Sequence, residues 1–398
     1  MEPGPRAVRY PFADPVRLEV DDGYRQCRER GGLTRVAAPF GDQAWLATTH
    51  ADIRLVLGDP RFSRAAAARH DEARLTPLPL QASLLGADPP DHTRMRGLLA
   101  SALRFTGPRV AAMRPSLERT ADALLAGGVD AGPPFDLAEG FTTPLSVSAA
   151  CDLMGVPLGD QEVFREWFES FASTELPAAE VEERVARISR YTRDLLADRR
   201  ARPRDDLVSV LAGSRSLTER ELVEVVEDLF LAGDNVATQL TNALYVLLTS
   251  PEHWQALLRD PGLLPGAVEE LLRFVPFPSH ATFARYALED VRVGGSLVRA
   301  GEAVLPALPS GNRDESVFAD PDRLDFHRSP NPHLAFGHGR HHCLGSKLVR
   351  ELLAVAIGRV QHRLPGARLA VPVEDVRWRA DMLIRRVVRL PVTWSVVR

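Results

Sequence analysis

Cys343 is the residue in this sequence best placed to do chemistry. It closes the run His333-Leu-Ala-Phe-Gly-His-Gly-Arg-His-His-Cys343-Leu-Gly345 and precedes a stretch patterned as a helix from Ser346 to His362. Gly337, Gly339 and Gly345 permit close backbone approach and positive φ, so a tight loop can wrap one side chain without clashes. The first backbone N–H groups of the helix would face the sulfur, and with the helix dipole they would favour thiolate over thiol. A thiolate in a dry loop is a soft ligand, and haem iron is among the metals it suits. A cysteine taken alone is more often an ordinary buried one. The spacing Phe-x-x-Gly-x-x-x-Cys-x-Gly sets Cys343 apart.

Other candidates pair up by spacing. His92 and Arg96 are i and i+4 on a helix opened by Asp88-Pro-Pro-Asp91, so they share one face; two such cations are ordinarily just solvated. Glu270 and Arg273, three apart on a later helix, can pair, which on a surface contributes under about 1 kcal/mol. The longest periodic run is Leu222 to Leu248, with Leu222, Val225, Val226, Leu229, Phe230, Val236, Leu240, Leu244 and Leu247 at helical spacing. It should span about 40 Å. Ala232-Gly233 interrupts it. A glycine inside a helix costs about 1 kcal/mol against alanine, which implies that something bulky approaches the backbone there. Phe164, Trp167, Phe168 and Phe171 form an aromatic helix face, read first as core packing.

The elements that must position these groups follow from pattern and punctuation. A short helix is expected over Asp14 to Arg30, then a β-hairpin from Thr34 to Thr48 turning at Gly41-Asp42, then a helix from His50 to Leu57 that stops before Gly58-Asp59-Pro60. Residues 65–87 show no clear period, and a connection that long is more often functional than incidental. Residues 109–214 are helix-rich, Val291 to Pro306 alternates in strand fashion, and Gly366 to Trp394 is β-rich around a turn at Met382-Leu383-Ile384. No linker or repeat appears, so residues 1–398 read as a single domain, mainly α with small β-sheets. A net charge of −4 gives no reason to expect a nucleic-acid partner. Cys27, Cys151 and Cys343 are too few and scattered for a disulfide framework, and no Cys-x-x-Cys-His exists to attach haem covalently. With no long apolar run, the expectation is a cytoplasmic protein without a membrane partner.

The cysteine loop resembles the haem-ligand loop of the cytochrome P-450 family, and the resemblance runs almost end to end. Ala44 to Arg64 is similar to the family's N-terminal block, His92-x-x-x-Arg96 to its propionate-binding motif, Glu270-x-x-Arg273 before Val275-Pro276 to its buried lock, and Gly311-Asn-Arg-Asp314 to its Ala-Asn-Arg-Asp block. It implies one triangular fold with the long helix crossing over non-covalent haem b, held by the Cys343 thiolate. His92, Arg96, Arg285 and His341 would bind the propionates, with Ala232, Gly233, Phe336, Gly337 and Gly345 beside the ring. Arg328 would join Glu270 and Arg273 in a structural lock. Residues 65–87 would cover the pocket, and Phe168, Leu229, Ala232, Val236, Phe277, His280 and Leu383 would touch a small organic substrate. The implied reaction activates O₂ with electrons from ferredoxin and ferredoxin reductase-type donors; thiolate donation favours O–O cleavage, and the resulting oxidant takes hydrogen from an unreactive C–H bond. The substrate class expected is a natural-product intermediate, hydroxylated or ring-coupled by a bacterial enzyme.

The sequence departs from that pattern at the proton-delivery site. Ala232-Gly-Asp-Asn-Val236 puts Asn235 where the family has an acid and Val236 where it has threonine. Thr238 is about 200° around the helix from Val236 and should point away. Asp234 is offset by about 100° from the acid position. Substrate or water supplying the hydroxyl, chemistry less dependent on a relay, such as aromatic ring coupling, and peroxide-driven turnover are three accounts of the site built from Gly233, Asp234, Asn235 and Val236. A haem-binding sensor or scavenger without turnover is the reading from a different class, favoured only by the missing threonine.

Overall fold

In the computed structural model, which describes residues 7–13, 16–79, 83–379 and 381–394 less the side chains of Ser83, Leu158, Gln161 and Phe164, the chain is mainly helical. In order the helices are α1 Asp22–Arg30, α2 His50–Gly58, α3 Ser83–Gly86, α4 Asp91–Leu103, α5 Gly107–Ala131, α6 Thr143–Met154, α7 Gln161–Ala172 and α8 Ala178–Ala201. They continue as α9 Leu207–Ala212, α10 Glu219–Leu248, α11 Pro251–Arg259, α12 Leu264–Phe274, α13 Leu308–Gly311 and α14 Ser346–Arg363. No helix among the described residues is long and apolar enough to cross a membrane.

The long helix begins on a capping box. The Thr218 hydroxyl accepts the Glu221 N–H at 3.3 Å, and the Glu221 carboxylate accepts the Thr218 N–H at 2.8 Å. At 30 residues, α10 is about 45 Å long. Its first half, from Leu222 to Leu231, packs into one apolar cluster with α4, α7, α8 and α9. Its second half, from Leu240 to Leu248, packs into another with α5, α6, α12 and α14. The longest helix is therefore shared by two cores.

A six-stranded sheet lies beside them in the order Val8–Arg9, Thr34–Ala37, Ala44–Ala47, Ala303–Pro306, Arg285–Ala287, Phe62–Ser63. Ala44–Ala47 runs parallel to Ala303–Pro306, with Trp45 opposite Val304. Val304 also stands opposite Arg285 of the antiparallel neighbour. Arg285 thus sits on an inner strand and is 6% exposed. A separate hairpin pairs Trp378–Arg379 with Arg386–Val387.

Most expected elements appear at nearly the expected bounds. The first helix is shorter: the Asp21 carboxylate accepts the Gly23 N–H at 2.6 Å and fixes the start of α1 at Asp22, while Asp14 lies outside the described residues. The stretch 65–87 contains structure of its own, a 3₁₀ turn at Ala65–Arg69 and α3, and is anchored by the buried pair Arg64–Glu72 at 2.7 Å.

Candidate functional site

The cysteine loop is held from both sides. Gly337 and Gly339 have φ of +70° and +68°, and a Cβ at Gly339 would stand 2.6 Å from the Leu57 carbonyl oxygen. Only glycine lets the loop rest on the end of α2 in this way. Gly345 differs from expectation: its φ is −81°, and a Cβ there would be 3.8 Å from the Cys343 Sγ, an ordinary contact. Inside the loop the Cys343 N–H donates to the Phe336 carbonyl at 2.9 Å, and the Leu334 N–H donates to the Asn312 side chain at 2.7 Å.

A clasp that sequence spacing does not suggest fixes the loop to α12. Glu269 accepts from Arg350 of α14 at 2.5 and 2.9 Å and pairs with His333 Nε2 at 3.0 Å. Burial works against its charge, but His333 and Arg350 hold its carboxyl down to about 2. The Arg350 guanidinium also covers the Phe336 ring, 4.6 Å from its centroid.

Cys343 is exposed. Burial raises its thiol above the ordinary value. The N–H groups of Gly345 and Ser346 and the charges of Arg96 and Arg350 pull the other way without winning. A metal bound there would take the deprotonated sulfur.

Around the same loop the structure gathers two arginines and two histidines. The rings of His92 and His341 lie 4.3 Å apart, and Arg96 donates to the His342 carbonyl at 2.7 Å. Arg285 donates to the Phe283 carbonyl at 2.7 Å. Burial, with Arg285 and His92 beside it, pushes the His341 imidazole down to about 3. Burial and Arg64 likewise hold Arg285 well below its ordinary value. Both ring nitrogens of His341 and Nε2 of His92 are buried without a hydrogen-bond partner. Asp88 and Glu72 are nearby acids; Asp88 accepts from the Ser63 hydroxyl at 2.5 Å and pairs with Arg340 at 3.8 Å, and Glu72 pairs with Arg64.

Glu270 and Arg273 form a fully buried pair, with the half-buried Arg328 beside them. Arg273 donates to Glu270 at 2.7 and 2.8 Å, with both side chains 0% exposed. Arg328 reaches the same carboxylate at 3.2 Å, and Asn331 donates to it at 3.1 Å. Arg273 further donates to the carbonyls of Asn312 and Pro321, so the block that holds the cysteine loop is tied to the lock.

On α10, Ala232 is exposed although it lies mid-helix, and Val236 is half-buried. Gly233 is corrected. A Cβ at Gly233 would meet the Ala150 Cβ of α6 at 3.0 Å, and its carbonyl accepts the Ser146 hydroxyl at 2.6 Å. The glycine therefore serves the packing of α10 on α6. Asn235 has a buried Oδ1 without a hydrogen-bond partner, and Thr238 is 0% exposed. Asp234 pairs with Arg386 at 3.0 Å.

The expected substrate contacts divide. Leu383 is brought to the end of α7, its N–H donating to the Ala172 carbonyl at 2.8 Å while its own carbonyl accepts the Ser279 N–H. Leu229 and Phe277 pack at the edge of the same cluster. Phe168 is 2% exposed, a core residue as an aromatic helix face first suggests. His280 lies edge-on to Tyr10, at a small recess lined by Phe12 and Tyr24. Phe283, which sequence reasoning did not select, has φ of +57° and lies 6.4 Å from the Phe171 ring. No pattern marks a non-glycine residue for positive φ.

Comparison with known proteins places the arrangement. A family model described as cytochrome P450 matches residues 262–363, which span the lock and the cysteine loop. Nocardicin C N-oxygenase of Nocardia uniformis subsp. tsuyamanensis is 47% identical over 97% of this chain and 98% of its own length. Mycinamicin IV hydroxylase/epoxidase of Micromonospora griseorubida is 42% identical over 98% of this chain and 99% of its own. The crystal structure of HinD with NMFT and NO superposes with a TM-score of 0.95 at 53% identity, covering 98% of this chain and all of that one.

Proposed function

The chain belongs to the cytochrome P450 family, and we propose that Cys343 would hold the iron of its haem through sulfur, with His92, Arg96, Arg285 and His341 binding the propionates. It is a haem-thiolate oxidoreductase of the bacterial secondary-metabolism type, an enzyme that oxidises a small organic molecule with O₂. The observation that carries the residue assignment is an exposed cysteine beside two arginines and two histidines whose buried ring nitrogens lack partners. The residues fit the group: two carboxylates would meet the orphaned nitrogens of His341 and His92 and the buried charge of Arg285, and a soft metal suits the sulfur. Charge-assisted hydrogen bonds of this kind contribute about 1.5–3 kcal/mol each.

Bound there, thiolate-ligated haem supplies O₂ activation and oxidation of an unreactive C–H bond. The chain's own residues do the rest. The Glu269 clasp and Asn312 orient the loop that presents Cys343. Ala232 and Val236 leave room on the cleft face of α10. Leu383, Phe277 and Leu229 offer apolar contacts that orient a substrate and exclude water. The relatives' names, an N-oxygenase and a hydroxylase/epoxidase, support a natural-product intermediate as substrate. Ferredoxin-type electron donors, a cytoplasmic setting and a single domain over residues 1–398 belong to the same proposal.

The reduced protein with CO should show the red-shifted band of a thiolate-ligated haem, and Cys343→Ala should lose it. An unchanged band in that variant would remove Cys343 from the role.

A further inference from the structure

A cavity of about 450 Å³ opens between α6, α7, α10 and the Trp378–Val387 hairpin. None of Cys343, His92, Arg96, Arg285 and His341 lines it. α6 and α7 both pack on α10, and the cavity is the gap left between them. Protein interiors seldom leave voids much larger than a water molecule. Small-molecule sites, by contrast, are clefts of about 300–1,000 Å³ with apolar walls and a few polar groups.

The lining has an apolar part and a charged part. α6 presents Val147, Ala150, Cys151 and Met154 at i, i+3, i+4 and i+7, which is one helix face, and Phe230 of α10 extends that surface. The charged part joins Glu162, Arg165 and Glu169 of α7 to Asp234 of α10 and to Arg379 and Arg386 of the hairpin. Its arginines are already taken. Arg386 donates to Asp234 at 3.0 and 3.3 Å and to the Thr143 hydroxyl at 3.0 Å. Arg379 donates to Glu169 at 2.6 Å, and Arg165 pairs with Glu162. Glu139 is a fourth lining acid against those three arginines. At the margin Arg184 and Arg389 are held by Glu180 and Asp136. Asp234, 6% exposed, is the most buried of the four acids. Burial, with the charge of Glu169, raises its carboxyl despite the pull of Arg386. The lining is thus one positive charge short.

We propose that this cavity is a second small-molecule site whose ligand is an organic cation with an apolar body, the body on α6 and Phe230 and the ammonium head beside Asp234 and Glu169. An anion of the same shape would find every lining guanidinium occupied and would meet the excess carboxylate, a juxtaposition that discriminates against it. The site goes beyond the haem assignment and does not rest on it.

The test is equilibrium dialysis of the holoenzyme against dansylcholine, a fluorescent quaternary ammonium that cannot ligate iron through nitrogen, with the anionic dansylglycine as its counterpart. Wild type should bind one equivalent of dansylcholine with a Kd below about 1 mM, a modest demand on a probe of this size, and the Soret band should stay in place. Dansylglycine should bind at least about tenfold more weakly. Asp234→Asn should weaken dansylcholine by about tenfold or more, as loss of one partner of a buried charge pair does, and Asp234→Glu should recover most of the affinity. Val147→Phe, which fills the cavity without altering its charge, should weaken both probes while leaving haem content and the reduced CO band as in wild type. If Asp234→Asn does not fold, Glu169→Gln removes the neighbouring carboxylate and should act in the same sense. No saturable binding, equal affinity for the two probes, or wild-type affinity in the charge and filling variants would each overturn the proposal. So would binding that shifts the Soret band and is indifferent to Val147→Phe, because the probe would then sit at the haem. Absence of the thiolate CO band in wild type would indict the haem assignment alone.

Discussion

Between them, Asn235 and Val236 bring no ionisable proton and no hydroxyl, so neither of the two side chains is a proton donor. If substrate or water supplies the missing hydroxyl, restoring those groups adds a second donor to a working supply. The double variant Asn235→Asp, Val236→Thr should then change product formed per NADPH consumed by less than about tenfold, equivalent to about 1.4 kcal/mol in barrier. The measurement needs the true substrate, and a larger gain would mean that the natural site is starved of protons. Single residues were legible in the sequence only where the chemistry is local. Cys343 stands among glycines within its own loop, so spacing alone carries it. Gly233 misled because a small residue in a helix has two explanations, a ligand or a neighbouring helix, and here the neighbour is Ala150. Asp234 could be noted as an offset acid, but the cavity behind it is built by four separate elements.

At the scale of elements, the cysteine loop is carried on a scaffold of buried charge. Glu270 receives Arg273, Arg328, Asn331 and the Asp325 N–H, and no water reaches the pair. Exchanging a buried ion pair for apolar groups is often neutral, but removing one partner leaves the other unpaired and costs about 3–5 kcal/mol. Glu270→Gln should therefore lower stability by roughly 3 kcal/mol, read as a fall in urea midpoint of the holoprotein. Because Arg273 and Arg328 also fix the carbonyls around Asn312 and Asp320, the variant should release haem sooner as urea rises. A midpoint within experimental error of wild type would show the lock to be dispensable. The Glu-x-x-Arg spacing made this pair readable within one helix. The Glu269 clasp was not readable, since its partners lie 64 and 81 residues away and meet only when α12, α14 and the loop pack.

The whole molecule turns on α10, which gives its first half to one core and its second half to the other. Periodicity made the helix visible in the sequence, yet its sharing between two cores is a property of packing. The sheet that seats Arg285 was equally hidden, because its middle pairing joins Trp45 to Val304 across most of the chain. A helix common to two cores couples their stabilities: loss of one strips apolar contacts from half of α10, and a helix deprived of tertiary packing is marginal in water. The cleft where the haem assignment places its ligand and propionate groups also draws on both sides, with His92 and Arg96 on α4, Arg285 on the sheet and Cys343 before α14. A ligand that binds only the folded state adds its binding free energy to the unit that holds it. The holoprotein should accordingly unfold in urea as one unit, with the Soret absorbance, far-UV circular dichroism and tryptophan fluorescence changing along one curve. Separate transitions, in which haem and one set of helices are lost while the rest stay folded, would show that the cores are independent domains and that α10 does not bind them together.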